Sequence, residues 1–139
     1  MNSVPTTGNL GKDITVNWKM YDGFDPQNNF FTDSNSLAMQ ERILNKRQYY
    51  NFTDETAKVS GNYYPIDSAI AMRDQNGSNT QVTIMTERAE GGSADIDKAT
   101  IELMQNRRLT EDDNKGVIEP LNEMNSDGTG IKVITNYYM

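Results

Sequence analysis

The chain has 139 residues, 35% of them hydrophobic, with a formal net charge of −7, which suits one domain with a core and leaves no room for two comfortable ones. The acidic balance opposes binding to nucleic acid or to an anionic membrane, and no run approaches the roughly 18 apolar residues of a membrane span. There is no Cys and no His, which removes disulfides, thiolate chemistry and any zinc site built from this chain alone.

Residues 1–12 carry Pro5, Gly8 and Gly11 among small polar residues and read as an entry segment or linker, with the domain itself over 13–139. Ile14, Val16 and Trp18 alternate with Thr15, Asn17 and Lys19, a period-two pattern that predicts a strand. Residues 21–29 hold Gly23, Pro26 and several Asx residues and read as a loop. Phe30, Phe31 and Thr32 form a short strand, followed by the turn Asp33-Ser34-Asn35-Ser36. The segment 37–47 is ambiguous. Its Leu, Ala, Met, Gln, Glu and Arg residues favour helix by propensity, while its place after a strand and a tight turn favours a hairpin partner. Strand is the preferred reading, because tertiary context overrides propensity.

The segments 66–73 and 81–88 alternate in polarity around a Gly-Ser-Asn turn and predict an antiparallel hairpin. The chain then turns on Gly91-Gly92-Ser93 and passes an acidic loop. Ile101 and Leu103 next face one way, with Glu102 and Met104 facing the other; helix competes there, but the neighbours are strands. Residues 131–138 give a final strand, and a chain stopping there suggests a cut, since such a strand wants a neighbour. Seven or so short strands separated by turns describe an all-β, antiparallel β-sandwich. The modest apolar fraction suggests a surface that lies against something else.

Most of the chemistry is concentrated in 86–123. The apolar run 101–104 delivers the adjacent pair Arg107-Arg108, and the carboxylate pair Asp112-Asp113 follows one short loop later. Rigid guanidinium forks near acidic loops suit recognition of hydroxyls or carboxylates; the plainer reading sends one arginine to solvent and one to a structural ion pair. Asp112-Asp113, or Glu87 with Glu102, could do glycosidic acid–base work, but the plainer role for Asp112-Asp113 is to accept from turn amides or to pair with an arginine. Gly91-Gly92-Ser93 lacks the lysine and following helix of a phosphate cradle, and Asp95 and Asp97 lack the rest of a calcium loop. Tyr63 and Tyr64 either cover the core edge or offer a sugar-stacking wall. Asn51-Phe52-Thr53 and Asn76-Gly77-Ser78 match the glycosylation acceptor pattern, which an Asn-rich chain also produces by chance.

The runs FFTDSNSLAMQERILNKR, VSGNYYPIDSAIAMRD and TERAEGGSADIDKATIELMQNRRLTEDDNKGVIEPLNE closely resemble the C-terminal β-domain of family 38 glycoside hydrolases, the α-mannosidases of the lysosomal type. The likeness runs over about 13–123 and again over 128–138, with ELMQNRRLTEDDNKG its most diagnostic stretch. Small departures are Ser36 where Gly is usual, Glu87 and Glu90 in place of Asp and Gln beside the glycine pair, and Lys115 in place of Arg.

The resemblance implies a supersandwich of galactose-mutarotase-like form, incomplete over this length. It also implies retaining hydrolysis of terminal α-linked mannose by an Asp nucleophile, an Asp acid–base and a zinc ion held by His and Asp. All of these would lie in an N-terminal α/β-barrel domain, so that the zinc is expected there and no cofactor in this chain. The β-domain would lend one arginine, Arg107 or Arg108, to the substrate pocket, with Asp112 and Asp113 orienting the pair. The implied partners are the catalytic domain and mannose-containing glycans, and the implied location is lysosomal or secreted, although no signal segment is legible. The alternative is a free-standing carbohydrate-binding or scaffold module that kept the sandwich and lost the chemistry.

Overall fold

A computed structural model describes residues 12–33, 35–47, 61–95, 98–108, 124–130 and 132–139. Nine strands occur among them: β1 (Lys12–Lys19), β2 (Asn29–Asp33), β3 (Met39–Ile43), β4 (Tyr64–Ile66), β5 (Ala69–Arg73), β6 (Gln81–Thr86), β7 (Glu90–Asp95), β8 (Thr100–Arg108) and β9 (Tyr137–Tyr138). They form a four-stranded sheet, β1-β8-β7-β4, and a five-stranded sheet, β3-β2-β5-β6-β9. The fold is all-β, with the two antiparallel sheets of a β-sandwich. The chain divides into two compact units, Met1–Val16 with Met104–Thr135, and Asn17–Leu103 with Asn136–Met139. No helix among the described residues is long and apolar enough to cross a membrane.

The core belongs to the larger unit. Phe30, Ile70, Met72 and Ile84 from the five-stranded sheet meet Tyr64, Ile66, Ile101 and Leu103 from the four-stranded one. All but Tyr64 are 0% exposed, and each such burial stabilises by about 1.5–3 kcal/mol. Trp18 closes one side of the core, its ring edge-on to Tyr137 at 5.0 Å between centroids.

The ambiguous 37–47 segment holds a strand, β3, in register with β2: Phe30 opposes Arg42 and Thr32 opposes Gln40. Its helix formers are recruited by side-chain bonding across the pair, since Arg42 Nε donates to Thr32 Oγ1 at 2.9 Å. The connecting turn places Ser36 at φ 55°, a left-handed conformation that glycine adopts without the Cβ penalty.

Three expectations need correction. The alternating run 66–73 is not one strand: β4 ends at Ile66 in one sheet and β5 begins at Ala69 in the other. The crossing is pinned by Asp33 at the end of β2. Its carboxylate accepts from Ser68 N at 3.1 and 3.2 Å, from Ala69 N at 2.8 Å and from the Ser68 hydroxyl. Gly91-Gly92-Ser93 is not a turn but the middle of β7, with Gly92 opposite Tyr64 and Gly91 opposite Pro65. The final strand is short, with only Tyr137 and Tyr138 pairing with β6, opposite Thr86 and Met85. Just before it, Asn136 gives its N–H and its side-chain amide to Glu87, at 3.0 and 2.9 Å, rather than to a ladder.

Asp33 is 2% exposed. Burial pushes its carboxyl up, but the hydrogen bonds from Ser68 and Ala69 outweigh it and hold the group below the ordinary aspartate value. Asp33→Ala strands those donors and should cost about 2–4 kcal/mol in a urea melt. A depressed folded value means that the stability is fully present above the ordinary aspartate range and is lost as pH falls through the folded value. The deficit of the variant should therefore shrink in acid, and a deficit independent of pH would show that the carboxylate's charge is not what pins the crossing.

Candidate functional site

β8 is the longest described strand and delivers the arginine pair at its end. Arg107 sits on the smaller unit, exposed, with Nε 3.2 Å from Asp13 Oδ1 of β1. Both side chains are substantially in solvent, 53% and 40% exposed, so the pair contributes about 0–1 kcal/mol. Arg108 is the last residue of the strand. Asp112, Asp113 and Asn51 lie outside the described residues.

The two tyrosines of the 63–64 pair have different surroundings. Tyr64 is 6% exposed, set edge-on to Phe30, and the guanidiniums of Arg42 and Arg47 each stand 4.3 Å from its ring centroid. Its ring is thus packed against this chain's own groups. Tyr63 is half-buried, and its hydroxyl donates to the Glu102 carboxylate. Glu87 and Glu102 have separate partners: Glu87 accepts from Asn136 and Glu102 from Tyr63. Asn76 is exposed in the β5–β6 loop, and its N–H donates to Asp74 Oδ1 at 3.0 Å. The hydroxyl of its sequon, on Ser78, donates to the same Asp74. Tyr21 donates to Asp74 as well, at 2.6 Å, and these two hydroxyls hold the Asp74 carboxyl well below the usual carboxylate range.

Sequence reasoning did not single out the Glu90 carboxylate. Its side chain is 1% exposed, and it accepts from the Tyr137 hydroxyl at 3.1 and 3.0 Å and from Arg88 Nε at 3.3 Å. Burial pushes the Glu90 carboxyl up despite these bonds, and burial with the nearby carboxylate pushes the Tyr137 hydroxyl up in turn. The available signal was Glu90 itself, a carboxylate at a position flanked by small residues. Because the folded carboxyl holds its proton more tightly than the unfolded one, its stabilisation is full below the ordinary glutamate range and is lost as pH rises through the folded value. Gln cannot ionise. The stability of Glu90→Gln relative to wild type should therefore improve between about pH 4 and about pH 7 in paired thermal melts; a constant difference would place the proton elsewhere.

A zinc ion does not fit this chain. There is no His and no Cys, and among the described residues no cluster of three or more His, Cys, Asp or Glu could hold a metal.

The family model described as the glycosyl hydrolases family 38 C-terminal domain matches residues 11–115. A lysosomal alpha-mannosidase of Bos taurus is 43% identical over 104 residues, covering 75% of this chain and 10% of that protein. A lysosomal alpha-mannosidase of Homo sapiens is 35% identical over 129 residues, 93% of this chain and 12% of that protein. An alpha-mannosidase of Canavalia ensiformis is 33% identical over 141 residues, 98% of this chain and 14% of that protein. The chain thus spans a small fraction of the length of the relatives it matches, and it belongs to the C-terminal domain family of the family 38 glycosyl hydrolases.

Proposed function

We propose that this chain is the β-sandwich portion of a lysosomal-type α-mannosidase, acting on terminal α-linked mannose of glycans, and that it works with a catalytic domain rather than alone. The observation that carries this reading is the family match across most of the chain, together with a chain that has no histidine for the metal centre. The catalytic domain would supply the carboxylates and the zinc. The sandwich would serve as a rigid support and lend an arginine to the rim of the mannose pocket, where a planar fork can donate to two adjacent sugar oxygens at once.

Of the pair, Arg108 is the proposed contributor. Arg107 already gives its Nε donor to Asp13, and Arg108, the last residue of β8, is the other member of the pair. Asp112 and Asp113 are proposed to orient the pair. A lysosomal location follows from the same reading, with Asn51 and Asn76 as candidate glycan acceptors.

Capture of the native gene product with an antibody against this segment tests the proposal. The expected result is a product several times heavier than 15.7 kDa, with α-mannosidase activity in the captured material. A product near that mass without activity would overturn the reading in favour of a free-standing module.

A further inference from the structure

The outward face of the β1–β8–β7 region carries a cavity that the arginine pair does not use. Alternation sends Ile101 and Leu103 of β8 and Ala94 of β7 into the core. Thr100 and Glu102 of β8 and Ser93 and Asp95 of β7 therefore stand on the opposite face, beside Asn17 of β1. With Lys98 and Ala94 they line a cavity of about 410 Å³, a size within the usual range for small-ligand sites. All of this lies in the larger unit.

The lining is held rather than loose. The Tyr63 hydroxyl donates to Glu102, Lys98 Nζ is 2.9 Å from Asp95 Oδ2, and Lys98 N donates to Asp95 Oδ1 at 3.2 Å. Acceptors and donors thus both line the cavity, with no large apolar side chain among its described lining groups. That chemistry disfavours an apolar ligand. Among the described lining residues, two carboxylates against one ammonium disfavour an anionic one. A neutral ligand dense in hydroxyls fits best, because each carboxylate can accept from adjacent hydroxyls while the ammonium and the Asn17 amide donate.

We propose that this face is a non-catalytic binding site for a neutral sugar unit, separate from the arginine pair and from the mannose pocket of the proposed function. It would hold a second part of a branched or extended glycan. The reading stands on the cavity and its lining, so it survives or fails independently of the role given to Arg108.

The test is calorimetric titration of the full-length native protein with N-acetylglucosamine and with methyl α-mannoside, using glucuronate as the anionic control. Hydrolysis of a chromogenic α-mannoside is followed in parallel. The expected result is weak saturable binding of a neutral sugar and none of glucuronate. Glu102→Gln and Asp95→Asn should each weaken that binding about tenfold while hydrolysis is unchanged. Lys98→Ala, at a side chain 75% exposed, guards against misfolding and should weaken binding as well. The proposal is overturned by the absence of saturable binding, by isotherms that the three variants leave unaltered, or by loss of hydrolysis in step with loss of binding, which would place the sugar in the catalytic pocket instead.

Discussion

Arg108→Ala in the full-length enzyme is expected to lower kcat/KM for an α-mannoside by about 10²–10³-fold, while Arg107→Ala changes it by less than about fivefold. The large figure follows from the role proposed for Arg108, a preorganised charged donor to the sugar, whose loss would cost about 3–4 kcal/mol, each 1.36 kcal/mol being about tenfold in rate. The small figure follows from the Arg107–Asp13 pair at 3.2 Å, both members of which are largely in solvent. Arg108→Lys keeps the charge but loses the planar fork, so it should recover only part of the activity. Thermal melts of all three variants separate a pocket effect from a folding effect. If Arg107→Ala were the damaging change and Arg108→Ala silent, the assignment would be reversed; if both were silent, the sandwich would be support only.

What was legible in the sequence is what local pattern decides. Ile14, Val16 and Trp18, the run around Ile84, and Ile101 with Leu103 all announce strands because period-two alternation is a local property. The structure has each of them in a strand. The segment 37–47 required context, since its residues prefer helix and only the register with Phe30, Phe31 and Thr32 makes it a strand. The misreadings arise where a distant group decides. The break between Ile66 and Ala69 cannot be seen in the alternation of 66–73, because the carboxylate that causes it is Asp33, 35 residues upstream of Ser68. The buried Glu90 was equally hidden, because its partner Tyr137 lies 47 residues downstream. The arginine pair was singled out by residue type and by resemblance. Spacing alone could not show that Arg107 meets Asp13, because that aspartate comes from β1, far away in the chain.

The Gly91-Gly92 pair shows the same limit, and it carries the second large expected effect. In a sequence, two glycines and a serine signal a turn. In the fold Gly92 lies within β7, where an added Cβ would stand 2.5 Å from Ile66 Cγ1, 2.7 Å from Ile66 Cδ1 and 3.1 Å from Ile70 Cδ1. Close approach to the core explains the glycine; a positive φ does not. Gly92→Ala should therefore destabilise by overpacking, about 1–3 kcal/mol in a denaturant melt. Ile66→Ala, at a side chain 0% exposed, should cost about 2–5 kcal/mol through the space it leaves. The double variant decides between mechanisms. If the alanine methyl at 92 clashes with Ile66, removing Ile66 Cγ1 and Cδ1 relieves it, and the combined loss falls short of the sum by about 0.5–3 kcal/mol. Strict additivity would mean that Gly92 matters for strand backbone freedom alone, and the close contact between β7 and Ile66 would then have to be dropped as the reason for the glycine.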